Sequence, residues 1–178
     1  MNLEVGYIGL SGGRSLIQKA IRFFIQSDFS HSFTILKVDN IFSALETTST
    51  IVCVSPIVNK YYEKNWVQIW KPKADLKYFE WYVYRSYSSY AGIWYGYLSY
   101  IWFIWRWFWR LFGIEKRTMW NWCKNGITCT TLTCLYLENV FPQIFKNLDI
   151  YTISPQELLV IMQENPDKFE FLGWYKGK

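Results

Sequence analysis

Residues 30–47 read SHSFTILKVDNIFSALET, and the rest of the sequence is best interpreted outward from this stretch. Two strand-like runs flank Asp39-Asn40, which predicts a β-hairpin with these two residues as its turn. Alternation along the strands then places His31 and Glu46 on the same face, close enough for a carboxylate–imidazole contact. A register shifted by one residue would put them on opposite faces. The alternative is a strand histidine with an ordinary hydrogen bond and a solvated glutamate.

The elements around the hairpin predict an α+β fold. A strand, a helix, a block of antiparallel strands and then mostly helix follow one another along the chain. We predict strands at 3–10, 31–38, 41–47, 50–54 and 66–70, and helices at about 15–26, from about 74, at 129–139 and from 155 to just before 165. No repeat, low-complexity tract or linker interrupts the sequence, which predicts a single domain over residues 1–178.

Composition excludes several classes of protein. Half of the residues (51%) are hydrophobic, which is not the composition of a disordered chain, and four cysteines are too few for a disulfide scaffold. A single histidine and no closely paired cysteines argue against a zinc site, so no metal and no cofactor are predicted. The formal charge of +5 is mild and the basic residues are scattered, so no nucleic-acid partner is expected. The acidic N-terminus lacks the pattern of a signal peptide, which predicts a cytoplasmic protein with free thiols.

Residues 126–135, GITCTTLTCL, predict a tight turn that leads into a helix with Cys129 in its first turn. Backbone N–H groups and the helix dipole favour a thiolate there and lower the pKa of the cysteine. The neighbours Thr128 and Thr130, and the turn that contains Gly12 and Gly13, are candidates for the border of a substrate groove. The alternative is a structural cysteine, because free cysteine is among the most buried residue types.

An aromatic-rich helical segment spans about 86–113, in a chain in which 21% of the residues are aromatic. Its first twenty residues carry no charge, but serines, glycines and tyrosines make them a poor membrane span. Trp and Tyr prefer the headgroup zone, and arginines at i, i+4 suit phosphates. We therefore predict contact with a lipid surface or a protein partner through Trp102, Trp105, Arg106, Trp109 and Arg110. The alternative is a core helix.

Four short motifs, in this order, resemble those of the circularly permuted papain-like cysteine hydrolases, in the YiiX-like branch of the NlpC superfamily. They are SHSFTI at 30–35, ALET at 44–47, TCTTL at 128–132 and ISPQEL at 153–158. The resemblance implies a permuted papain-like fold, with an antiparallel sheet or partial barrel packed against helices and the nucleophile at a helix N-terminus. It implies Cys129 as nucleophile, His31 as base and Glu46 as the residue that orients it, and it places Tyr90 in a segment near the substrate. Thr130 and Thr131 depart from the Ser-Glu that usually follows the cysteine.

The predicted function is that of a cysteine hydrolase, a peptidase or amidase that cleaves an amide or ester bond in a cell-wall peptide or a lipid-linked acyl substrate. The competing prediction is a non-catalytic papain-like interaction protein, such as a component of a viral particle or a membrane-associated assembly. In that case the aromatic segment would bind a lipid surface or a protein partner, and the protein would be membrane-peripheral or virion-associated.

Overall fold

The computed structural model describes residues 2–13, 16–48, 50–57, 66–74, 76–115 and 118–175. Six antiparallel strands form one sheet in the order β4-β3-β2-β1-β5-β6, with bounds β1 Ile8–Gly12, β2 His31–Val38, β3 Ile41–Thr47, β4 Val52–Pro56, β5 Trp66–Pro72 and β6 Phe169–Tyr175. The helices are α1 Leu16–Ile25, α2 Leu76–Tyr90, α3 Leu98–Arg110, α4 Cys129–Val140, α5 Pro142–Phe145 and α6 Pro155–Glu164. Short 3₁₀ turns lie at Asn121–Lys124 and Ile150–Thr152. The α+β prediction is confirmed.

The β2–β3 hairpin has the predicted register. Val38 pairs with Ile41, so the turn consists of two residues. Asp39 and Asn40 adopt φ angles of 48° and 63°. Asp and Asn tolerate this left-handed region better than most residues, and two such residues in succession form the type I′ turn that suits the twist of a hairpin. The local sequence thus fixes which side chains of β2 and β3 share a face.

Both faces of the sheet are buried at β2. Alternate residues of β2 contribute to two separate apolar clusters: Leu36 packs in the large cluster with α4, and Phe33 and Ile35 pack in a second one with Ala44. This explains why β2 is buried almost without alternation from Ser32 to Leu36.

Helix α4 is the central helix. Most of its residues are buried, including Cys134. A helix buried on all sides gives no amphipathic signal, but its start is marked by a capping residue, Thr128, whose side chain accepts a hydrogen bond from the Thr131 backbone. Helix α6 begins with the predicted cap: Ser154 and Glu157 form a reciprocal capping box, and Pro155 occupies the first helical position.

The aromatic segment is not one continuous helix, and part of the prediction for it is wrong. Helix α2 ends at Tyr90, and residues 91–97 are irregular before α3 begins. Trp102 is fully buried and Arg106 is 4% exposed, so neither can contact a membrane or a partner. Trp102 packs in a third cluster with Ile25 and Phe103. One side of α3 therefore belongs to the core, while Trp105, Trp109 and Arg110 are half-buried at its borders.

None of the described helices is both long enough and apolar enough to cross a bilayer.

Candidate active site

The hairpin brings His31 and Glu46 into direct contact. His31 is the first residue of β2 and Glu46 lies near the end of β3, so the two are diagonal neighbours on one face. The His31 Nε2 to Glu46 Oε2 distance is 2.7 Å. The Glu46 side chain is completely buried and that of His31 is 17% exposed. A buried carboxylate is stable only with such a partner, so it holds the imidazole in one orientation.

Cys129 is the first residue of α4, and the packing of α4 on β2 brings it to the same place. The Ser32 hydroxyl contacts Thr130 Oγ1 at 3.4 Å and Thr133 Oγ1 at 3.3 Å, which fixes the first turn of α4 beside the start of β2. The Cys129 thiol lies beside His31, whose charge and hydrogen bond lower the pKa of the thiol. Because Nε2 of His31 faces Glu46, Nδ1 is the ring nitrogen that remains for the thiol.

The contacts among these side chains shift the pKa values of Cys129 and His31. Burial alone would raise the pKa of Cys129, but the charge and hydrogen bond of His31, the Ser32 backbone and the Thr130 side chain lower it below its ordinary value. Burial lowers the pKa of His31, and Cys129 and Glu46 outweigh this effect and raise it well above its ordinary value. Opposite shifts of this kind favour a thiolate–imidazolium pair, the reactive form of a nucleophilic cysteine.

A narrow cavity reaches Cys129. Its lining combines a few polar groups with apolar side chains from several elements: Ile21, Ile25, Ser30, Tyr95, Tyr100, Phe103, Thr128, Cys129, Thr130, Ile153 and Pro155. The cysteine is 6% exposed, so a ligand would reach it through this cavity. The first backbone N–H groups of α4 have no partner within the helix and can stabilise an oxyanion that forms beside the sulfur.

The predicted groove residues are divided between this cavity and other places. Thr128 and Thr130 line it. The Gly13 backbone N–H donates to Ser30 Oγ at 3.3 Å, so it supports a lining residue. Gly12 lies inside β1, where an added Cβ would be 2.3 Å from the Trp66 ring, and it does not line the cavity.

The prediction for Tyr90 is wrong, and two other tyrosines take its place. Tyr90 ends α2 and packs against the large core cluster. Tyr95 and Tyr100 line the cavity instead, and their hydroxyls are hydrogen-bonded to each other. Burial, followed by the negative charge on Cys129, raises the pKa of both. The two phenols therefore remain neutral and can donate hydrogen bonds in the cavity.

A close crossing of two glycines positions Tyr95. The segment at Tyr95 forms a parallel bridge with Ile127, two residues before Cys129. At the crossing, a Cβ on Gly126 would lie 2.7 Å from the Trp94 carbonyl oxygen and 2.9 Å from the backbone of Gly96. Gly96 and Gly126 are the residues from which the sequence could have predicted this part of the cavity. The many aromatic residues in the segment made this signal hard to recognise.

Replacing Gly126 by alanine is expected to destabilise the protein by roughly 2 kcal/mol, through the left-handed backbone and the backbone clash together. The Gly126 φ angle is 103°. Gly92 is the matched control, because its φ is 79° and a Cβ there meets nothing within 4 Å. Chemical denaturation should show Gly126→Ala to be the more destabilised of the two. Equal losses would mean that the crossing is not tight.

Comparison with known proteins identifies the fold. No protein-family model and no curated protein matches the sequence. Among solved structures, the crystal structure of the metalloprotein YiiX from Escherichia coli O157:H7 matches with a TM-score of 0.55 and 14% identity, and the match covers 97% of this chain and 98% of that one. At this identity the likeness concerns architecture alone. The chain has a YiiX-like α+β fold built on a six-stranded antiparallel sheet.

Proposed function

We propose that this protein is a thiol hydrolase that cleaves an amide or ester bond with Cys129 as nucleophile, His31 as general base and acid, and Glu46 as the residue that orients His31. The observation that carries the proposal is that His31 contacts both the buried Glu46 carboxylate and the Cys129 thiol. A buried acid, an imidazole and a cysteine at a helix start are the three groups that a nucleophilic triad requires.

The reaction follows from these roles. The Cys129 thiolate attacks the substrate carbonyl carbon, and the oxyanion accepts hydrogen bonds from backbone N–H groups at the start of α4. The His31 imidazolium then donates its proton to the leaving amine or alcohol as the C–N or C–O bond breaks, which leaves an acyl-thioester on Cys129. Water attacks this thioester while His31 accepts its proton. Collapse of the second tetrahedral intermediate releases a carboxylic acid and restores the thiolate–imidazolium pair.

The order of the three residues supports a permuted papain-like arrangement. His31 and Glu46 precede Cys129 in the chain, as the resemblance to the permuted cysteine hydrolases implies. YiiX is described as a metalloprotein. Within the described part of this chain, no group of three or more His, Cys, Asp and Glu side chains is arranged to hold a metal ion. The proposed steps therefore use only the chain's own side chains.

The cavity favours a substrate with an uncharged acyl side. None of the described side chains that line it carries a formal charge apart from the ionisable Cys129, and Ile21, Phe103 and Ile153 provide apolar walls. Tyr95 and Tyr100, whose hydroxyls are hydrogen-bonded to each other, also line the cavity. The chemistry of this lining suits an apolar acyl group followed by a neutral ester or amide, whereas the cavity volume of about 20 Å³ holds about one water molecule, so a substrate must displace side chains of the cavity walls.

Alkylation with iodoacetamide at pH 6 tests the nucleophile. If accessibility decided reactivity, the half-buried Cys53 would react first, because the other three cysteines are buried. We expect Cys129 to react at least about tenfold faster than Cys53, since the thiolate is the reactive species. Mass spectrometry of the labelled peptides measures both rates.

Hydrolysis of p-nitrophenyl acetate completes the test. We expect Cys129→Ala to lack turnover while Cys53→Ala, the matched control, retains it. Faster labelling of Cys53, or full hydrolysis by Cys129→Ala, would exclude Cys129 as the nucleophile and favour a non-catalytic interaction protein on the same scaffold.

A further inference from the structure

Helices α1 and α3 pack against each other and present two different faces. Their inner faces supply cavity walls next to Cys129, with Ile21 and Ile25 from α1 and Tyr100 and Phe103 from α3. The ring of Phe23 in α1 lies 5.6 Å from that of Trp107 in α3. The two helices thus line one side of the cavity and also face the exterior.

The outer face of α3 is an apolar stripe. It consists of side chains spaced alternately four and three residues apart, each about half exposed: Tyr97 54%, Ile101 49%, Ile104 45%, Phe108 48% and Leu111 60%. Phe112 extends it at 64%, and Phe23 of α1 is exposed at 62%. Single exposed apolar residues are ordinary, but a contiguous stripe of this kind marks a binding surface.

The two helices that carry and flank this stripe contribute only basic charges. The described residues of α1 and α3 include Lys19, Arg22, Arg106 and Arg110 and no acidic residue. Arg106 is buried, and Arg110 is engaged with Glu115 and Glu157. Lys19 and Arg22 lie with Phe23 and Trp107 around an open depression at the edge of the stripe, which also contains Gln26, Ser27, Asp28 and Gln156.

We propose that α1 and α3 dock this protein on an anionic phospholipid bilayer, with the apolar stripe at the boundary of the acyl chains and with Lys19 and Arg22 at the level of the phosphates. Aromatic and aliphatic side chains on one face with basic residues beside them are the features of an interfacial helix. The inference is independent of the proposed hydrolysis. If both proposals hold, the Cys129 cavity lies on the inner side of the two helices that contact the lipid.

Charge distinguishes the bilayer from a second copy of the chain. The stripe spacing would also suit a helix–helix seam, but it is about two heptads long, which is short for a stable coiled coil. A second copy would bring the same two cations, Lys19 and Arg22, with the single acid Asp28 to this surface, whereas anionic headgroups complement the remaining positive charge. The bilayer is therefore the occupant that satisfies both the apolar stripe and the adjacent cations.

Vesicle co-sedimentation tests the proposal, with phosphatidylcholine vesicles that contain or lack phosphatidylglycerol. We expect binding to the mixed vesicles, and a partition coefficient at least about tenfold lower for the double variant Phe108→Ser/Leu111→Ser. Val38→Ser/Ile41→Ser is the matched control, because Val38 and Ile41 are exposed at the hairpin turn. It should bind like the parent protein.

A charge variant separates the phosphate contribution. Lys19→Glu should weaken binding to the mixed vesicles several-fold, whereas Lys37→Glu, an exposed control at the far end of β2, should not. Circular dichroism confirms that each variant is folded. Absence of binding by the parent protein, equal binding by the stripe and control variants, or a dimer in size-exclusion chromatography that Phe108→Ser/Leu111→Ser abolishes would each overturn the proposal.

Discussion

Replacing His31 by alanine is expected to lower the rate of alkylation of Cys129 at pH 6 by about 100-fold. Without the imidazole, the thiol loses both the charge and the hydrogen bond that lower its pKa, while burial continues to raise it. A thiol with an ordinary pKa of about 8.5 is only about 0.3% ionised at pH 6, and the greater nucleophilicity of a more basic thiolate recovers part of this loss.

The pH dependence of the Cys129 alkylation rate gives the direction of the expected change. In the parent protein the pKa of Cys129 is lowered and that of His31 is raised, so the ion pair exists between these two values. Alkylation should stay fast below the ordinary thiol pKa and fall only when acid protonates the thiolate. In His31→Ala the fall should begin near or above pH 8.5. Stopped-flow or mass-spectrometric rates between pH 4 and about pH 10 measure both curves.

Two variants provide the controls. Glu46→Gln keeps the hydrogen-bonding shape but removes the charge that supports the imidazolium, so its profile should lie between the other two. Thr130→Val removes a weaker contact, since Thr130 Oγ1 is 3.9 Å from Cys129 Sγ, and should change the rate only a few-fold. If the His31→Ala profile coincided with that of the parent, the imidazole would have no role in activating the thiol.

The sequence predicts the positions of these three residues within their elements because the hairpin turn and the start of α4 are encoded locally. A two-residue turn at Asp39-Asn40 sets the hairpin register, and the register alone makes His31 and Glu46 neighbours. The capping residue Thr128, directly before Cys129, marks the start of α4. The contact between the hairpin and α4 is not local, and the order of the motifs predicts it only by resemblance to a family.

The sequence predicts the aromatic segment poorly because composition does not determine which face of a helix is buried. Since α3 has apolar residues on all sides, their spacing does not identify its inner side, and the buried Trp102 and the exposed Phe108 look alike in the sequence. The close contact of Gly96 with Gly126, which lies thirty residues later in the chain, positions Tyr95 at the cavity. The β6 strand, after the last helix, pairs with β5 a hundred residues earlier, and the local pattern does not predict it.

Arg106 illustrates how a charge in an aromatic segment can be structural. Its guanidinium donates to the Thr152 carbonyl oxygen at 3.1 Å and to Glu157 Oε2 at 3.2 Å, and it also contacts Glu115. It therefore joins α3 to the start of α6 and to the 3₁₀ turn before it. Its side chain is 5% exposed, whereas that of Arg110, which contacts the same two glutamates, is 25% exposed.

Replacing Arg106 by methionine is expected to destabilise the protein by about 2 kcal/mol, because it removes the shorter of the two arginine contacts to Glu157 and the hydrogen bond to the Thr152 carbonyl oxygen, while Arg110 still partly compensates the carboxylate. Arg110→Met, the matched control, should cost no more than about 1 kcal/mol, since that pair is more exposed. Burial raises the pKa of Glu157, but the hydrogen bond and charge of Arg106 outweigh this effect and lower the pKa below its ordinary value. The stabilisation from this ion pair is therefore present above the ordinary carboxyl pKa and is lost as the pH falls through the lowered pKa of Glu157. Urea denaturation should therefore separate Arg106→Met from the parent strongly at pH 7 and less at low pH. Equal losses for the two arginine variants would mean that Arg106 acts at the surface and not as the link between α3 and α6.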